Sequence, residues 1–240
     1  MIISETYSSV ELCVLNEQFK PMNLAEATDR FDFQPRRGRD PYSTAWNNYC
    51  RENRLYFYPT DDYVSLLAEY LKVRCRKVEN QESRSARILE AGAGKGRLSF
   101  LLDQKLSYLG VDAQILPADD MSWGTDSSER VTISDQVDVR DAVNVLKPDF
   151  VIAAWPPVDQ CRLWCQSFME EPRVDEYLFI GIPGQSMGTG LKNTIPESIA
   201  GDFEVRSLDY MTPTSLCYFS TSFDMHPSVT ISFQRPQLKD

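Results

Sequence analysis

Residues 86–96 read Ala86-Arg87-Ile88-Leu89-Glu90-Ala91-Gly92-Ala93-Gly94-Lys95-Gly96. A short apolar run ends in three glycines at alternate positions. The following residues, RLSFLLDQKL (97–106), carry apolar side chains at helical spacing. The stretch therefore predicts a strand, a tight turn and a helix. Glycine in such a turn lets the backbone reverse sharply and leaves room for a ligand where a Cβ would stand. The spacing G-x-G-x-G differs from the G-x-G-x-x-G of dinucleotide turns. It is not a phosphate-binding P-loop either, because no Ser or Thr follows Lys95.

The pattern extends in both directions. Upstream, YPTDDYVSLLAEYLKVRC (58–75) predicts a helix capped by Thr60 or Asp61, and RKVENQESRS (76–85) reads as a surface linker. Downstream, SYLGVDA (107–113) is expected to be a second strand, and RVTISDQVDV (130–139) holds a third. PDFVIAAW (148–155) and EYLFIGIP (176–183) are continuous apolar runs, as expected for strands buried on both faces. CRLWCQSFME (161–170) between them is helical. FEVRSLDY (203–210) and SVTISFQR (228–235) supply two late strands without a clear helix between them, which predicts a hairpin and an antiparallel last strand. Alternation of strands and helices indicates an α/β fold: a Rossmann-like, seven-stranded, mostly parallel sheet with helices on both faces. Residues 1–57 are irregular and form an expected N-terminal extension, a lid or an acceptor-recognition segment; residues 58–240 form the main domain.

Bulk properties narrow the function. The 240 residues are 42% hydrophobic, enough for one large core and too apolar for a disordered chain. The net charge of −10 argues against non-specific binding to nucleic-acid phosphates, which requires clustered Lys and Arg. Arg36, Arg37 and Arg39 form one small candidate basic patch and read as a solvated loop. No segment resembles a signal peptide, a transit peptide or a bilayer span, so a cytoplasmic, membrane-free protein is expected. The six cysteines include no C-x-x-C pair. Cys161 and Cys165 could share a helix face but lack further ligands, and no metal is expected.

Glu90 to Gly96 resembles motif I of the class I S-adenosylmethionine-dependent methyltransferases, acid-x-G-x-G-x-G, and later residues follow that family's order. The resemblance implies S-adenosyl-L-methionine as cofactor and methyl transfer as the reaction. It implies that Gly92, Ala93, Gly94 and Gly96 wrap the methionyl end, with Glu90 and backbone carbonyls near its ammonium. Asp112, expected to end the second strand with Ala113 beside it, would bind the ribose diol. Asp138 would receive the adenine amine, and the Val139 N–H a ring nitrogen. Ala154 closes the fourth strand at motif IV, and Tyr58 would line the cofactor pocket.

Each residue also has a plainer reading. The glycines could form only a tight turn, Asp112 a cap, and Asp138 a turn beside Arg140. Glu90 could serve mainly to hold the loop by accepting backbone N–H bonds. At motif IV the amino-methyltransferases carry Asn or Asp before two prolines. Here Trp155 precedes Pro156 and Pro157. Trp155 cannot accept a hydrogen bond from an amino group, so it is either a wall of the acceptor pocket or core. A small molecule or protein side chain is the expected acceptor. The only histidine, His226, is a candidate base for a hydroxyl acceptor or else a satisfied loop residue. A methyltransferase-like scaffold without catalysis is the alternative kept open by Trp155, and a nicotinamide oxidoreductase is disfavoured by the glycine spacing.

Overall fold

The computed structural model describes residues 21–31, 45–52, 55, 57–94, 96–119, 139–156, 158–182, 203–217 and 228–236. Their order is α1 (Leu24–Phe31), α2 (Ala45–Glu52), β1 (Phe57–Tyr58), α3 (Asp61–Glu82), β2 (Ala86–Ala91), α4 (Arg97–Tyr108), β3 (Ala113–Ala118) and α5 (Val139–Leu146). Then follow β4 (Phe150–Ala154), α6 (Val158–Glu170), β5 (Glu176–Gly181), β6 (Glu204–Ser207), a 3-10 turn (Asp209–Thr214), β7 (Leu216–Cys217) and β8 (Val229–Gln234).

Six of these strands form one sheet in the order β3-β2-β4-β5-β8-β6. The pairs β2–β3, β2–β4 and β4–β5 are parallel, while β8 runs antiparallel to both β5 and β6. The expected antiparallel last strand is present, but it lies inside the sheet and β6 takes the edge. The segment expected to hold a further strand, 130–139, lies outside the described residues except for Val139, which opens α5.

Strand periodicity explains the two layers. Ile88, Ile152, Leu178 and Ile180 face α3 and α4. Leu89, Ala91, Val151, Ala153, Tyr177 and Phe179 face α5 and α6. A side chain every second residue on each face makes the strands apolar throughout.

Two boundaries differ from the sequence reading. Helix α3 does not stop at Cys75 but runs to Glu82. Val78 continues its buried stripe, and the intervening Lys, Glu and Gln are good helix formers on the outer face. Ser83 then adopts a left-handed φ of 53° and donates its N–H to the Glu79 carbonyl. At the start, the Thr60 hydroxyl accepts the Tyr63 N–H at 3.1 Å, and two aspartates occupy the first turn.

The second difference moves a strand. Ser107 and Tyr108 end α4, and β3 is Ala113–Ala118, not 107–113. Pro117 within this strand is tolerated because β3 is the outermost described strand, and because the Ala118 carbonyl faces β2, which turns Pro117 outward.

Two buried carboxylates fasten the amino end of the sheet. Asp149 accepts both guanidinium nitrogens of Arg84, at 2.8 and 2.6 Å, and the Arg87 N–H at 2.8 Å. Glu176 accepts from Tyr70, Arg74 and Ser232.

A third, aromatic cluster joins α1 and α2 to the β1–β7 pair: Phe31, Trp46, Tyr58 and Leu216 are buried together. The Trp46 indole donates to the Cys217 carbonyl at 2.8 Å. Thr60 donates to the Thr214 carbonyl, and Ser215 to that of Ser228, just before Val229, which pairs with Gly181 at the carboxyl end of β5. The cluster thus sits toward the carboxyl ends of the parallel strands.

Candidate functional site

In an open α/β sheet, ligands bind at the carboxyl ends of the parallel strands. There the chain places the glycine turn after β2, Asp119 after β3, the first residue of α5, and Ala154 with Trp155 after β4. Gly92, Gly94 and Gly96 have φ of 72°, 56° and 64°, so the glycines are required by the backbone itself. A Cβ on Gly92 would lie 3.1 Å from the Trp164 ring of α6, whereas a Cβ on Gly94 would meet nothing within 4 Å.

The described N–H groups of the turn are engaged by the chain. Gly92 and Ala93 donate to the Ala118 carbonyl at 2.8 and 3.0 Å, Gly96 donates to the Ala93 carbonyl at 2.8 Å, and Gly94 donates to Asp119 Oδ2 at 2.9 Å. At the first turn of α4, the Ser99 N–H and hydroxyl both donate to Glu90 Oε2, the former at 2.9 Å. Gly96 has no side chain with which to cap α4, so Glu90 does so from the neighbouring strand. Burial pushes the Glu90 carboxyl up to about 7, the Ser99 bonds pull it down, and the nearby Asp119 carboxylate adds to the rise.

Glu90 and Asp119, both buried, therefore flank a turn whose described donors are occupied. This environment suits cationic groups and hydroxyl donors.

The expected site residues divide accordingly. Glu90, Gly92, Ala93, Gly94, Gly96, Ala154 and Trp155 come together at this end. Val139 joins them as the first residue of α5, a helix that runs down to the amino end of β4. Asp138 and His226 lie outside the described residues.

Asp112 does not end the second strand. It precedes β3 at the opposite end of the sheet, where it accepts the Ser85 hydroxyl at 2.5 Å, and Ala113 pairs there with Ala86. Tyr58 is fully buried in the N-terminal aromatic cluster, and its hydroxyl accepts the Met22 N–H at 2.8 Å. Burial raises its phenol to about 12.

Two residues escaped the sequence reading. Asp119 is the first polar residue after the strand, and the misplaced strand hid it. Trp164 carries no sequence signal, since an aromatic in a helix reads as core.

Trp155 has φ of 56°, an outlier for a bulky residue. Its N–H donates to the Ile180 carbonyl at 2.8 Å and its indole to Ser228 Oγ at 3.1 Å, and its ring packs against the α3–α4 side of the core. Among the described residues no group of His, Cys, Asp and Glu could hold a metal ion, and no helix is long and apolar enough to cross a membrane.

No family model and no curated protein matches the sequence. Solved structures similar to it include the CurJ carbon methyltransferase, at 12% identity and a TM-score of 0.43 over 70% of this chain and 54% of that one. The DszA carbon methyltransferase matches at 14% and 0.45, over 75% and 55%. A SAM-dependent methyltransferase from Agrobacterium tumefaciens matches at 14% and 0.40, over 72% and 61%. The matched region is thus about half to three-fifths of each of those chains. At these identities the likeness says nothing of reaction or acceptor. The fold follows from the chain's own strand order and register: a Rossmann-like α/β sheet, mostly parallel, whose last strand runs antiparallel.

Proposed function

We propose that the chain is an S-adenosylmethionine-dependent methyltransferase whose cofactor lies at the carboxyl ends of β2, β3 and β4. The observation that carries this reading is the pair of buried carboxylates around a glycine turn whose described N–H groups are already bonded. S-adenosylmethionine presents an ammonium, a sulfonium and a ribose diol, and a site lined by carboxylates complements all three. Asp119 takes the place first given to Asp112: its carboxylate accepts the Gly94 N–H, and a carboxylate is the group that receives ribose hydroxyls. Asp138 and the Val139 N–H remain the proposed adenine partners. The open space beside Gly94 admits the methionyl end.

When bound, the cofactor supplies an electrophilic methyl group. The chain's contribution is alignment, which provides much of the rate in an in-line displacement. Trp155, held by Ile180 and Ser228, forms a wall of the acceptor pocket, and a small molecule or a protein side chain is the proposed acceptor. For a hydroxyl acceptor, His226 is the proposed base.

Calorimetry with S-adenosylmethionine, S-adenosylhomocysteine and NAD tests the site. The first two should bind and NAD should not. Asp119→Asn should abolish binding while Asp112→Asn leaves it intact; the reverse result would overturn the assignment. Labelled-methyl transfer in a cell extract then separates an enzyme from a binding protein. Tight cofactor binding without labelled product would favour the scaffold reading that Trp155 suggests.

A further inference from the structure

Strand β6 is the outermost described strand on its side of the sheet, and all four of its residues are exposed. An edge strand presents backbone N–H and C=O groups that can pair with another strand. The β6–β8 register identifies these groups. Leu208 donates its N–H to the Thr230 carbonyl, and the same register sets Arg206 opposite Ser232 and Glu204 opposite Gln234. Hydrogen-bonded positions alternate in an antiparallel pair, so Glu204 and Arg206 bond inward to β8. Val205 and Ser207 therefore direct their N–H and C=O groups away from the sheet.

The side chains carry a second regularity. Glu204 and Arg206 lie on one face of the strand, joined by an ion pair at 2.7 Å, with side chains 56% and 53% exposed. Val205, on the other face, is 50% exposed. A second copy of β6 can pair antiparallel with the first through the outward groups only where odd-numbered positions meet odd-numbered ones. The registers that keep most of the strand paired are centred on Glu204, Val205 or Arg206. Centring on Glu204 or on Arg206 sets like charges directly opposite each other, which opposes pairing. Centring on Val205 sets Val205 against Val205, and each Glu204 against the second copy's Arg206. Edge strands built against pairing carry charges, lysine above all, that repel a second copy. In β6 the two signs are instead placed symmetrically about the middle of the strand, as a two-fold contact requires.

We propose that β6 is a docking surface for a second copy of this chain, the two strands pairing antiparallel about a two-fold axis at Val205. Each copy's Val205 N–H donates to the other's Val205 carbonyl, and a Glu204–Arg206 pair closes on either side. The two sheets become one continuous sheet. A four-residue strand pair is smaller than a permanent interface, so the dimer is reversible and depends on protein concentration.

Sedimentation equilibrium of the full chain, from micromolar to millimolar concentration, tests the pairing. The parent should pass from monomer to dimer. R206E and E204R each set like charges across the axis and should weaken dimerisation about tenfold or more. The exchanged variant E204R/R206E recreates both cross-strand pairs and should regain the parent's dimerisation. V205P removes the central N–H, which bonds to nothing in β8, and should abolish the dimer while the single chain stays folded, as its melting temperature reports. If V205P does not fold, the charge series decides. A parent that stays monomeric throughout overturns the proposal, as does a dimer unchanged by R206E or an exchanged variant that stays as weak as the single ones. Cofactor binding takes no part in the measurement, so the result stands apart from the proposed function.

Discussion

Replacing Glu90 by glutamine isolates one buried charge. Glu90 is 5% exposed and its carboxyl is raised from near 4.5 to about 7, with burial as the main cause. The folded protein therefore holds a proton on Glu90 at pH values where the unfolded chain has released it. Stability must fall as pH rises from about 4.5 to about 7, and this contribution levels off above that range. A gap of between two and three pH units, at about 1.4 kcal/mol each, amounts to about 3 kcal/mol. Glutamine has nearly the same shape, and its carbonyl can still accept from the Ser99 N–H and hydroxyl, so the cap on α4 survives. Urea denaturation of both proteins from pH 4.5 to 8 gives the difference in stability. The glutamine variant should match the parent near pH 4.5 and exceed it by about 3 kcal/mol above pH 7. A difference that stays flat with pH would refute the assignment of a raised carboxyl to Glu90. A difference that grows toward acid would show that Glu90 is held ionised by its Ser99 bonds.

The two glycines that differ in their surroundings should separate in stability and binding. Gly92→Ala combines a left-handed backbone penalty with displacement of the Trp164 ring and should cost about 2–4 kcal/mol by urea denaturation. Gly94→Ala meets open space and should cost only about 1–2 kcal/mol, while calorimetry shows S-adenosylmethionine binding lost because the methyl group enters the proposed ligand space. Thr60→Ala removes the cap of α3 and the bond to the Thr214 carbonyl. It should lower the melting temperature by an amount equivalent to about 1–2 kcal/mol, with cofactor affinity kept.

The sheet was legible because its strands advertise themselves. Within PDFVIAAW and EYLFIGIP the runs after Asp149 and Glu176 have no polar interruption, and only a strand covered on both faces makes such a run stable in so short a segment. The glycine turn was legible for a related reason: three alternate glycines between an apolar run and a helical one leave few conformations open. What failed was the one strand whose composition opposes its structure. AQILPA contains a proline, and the apolar residues of SYLGVDA drew the strand boundary back by six residues, although Gly110, at φ 67°, ends α4 with the Val111 N–H on the Leu106 carbonyl. That slip carried the acid with it, because the second acidic site was defined as the residue ending the strand: Asp112 was read where Asp119 stands. Tyr58 failed for a different reason. An aromatic before a helix at the ligand end of a sheet has two destinations, and the choice depends on α1 and α2, whose packing against Leu216 spans a separation in sequence that no local pattern encodes. Trp164 belongs to the same class. Its importance rests on a ring edge meeting a missing Cβ more than seventy positions away. Local signals thus locate the turn that a ligand would use. Asp119, the buried acid beside that turn, comes from a different strand, and it becomes visible only when the register between β2 and β3 is fixed.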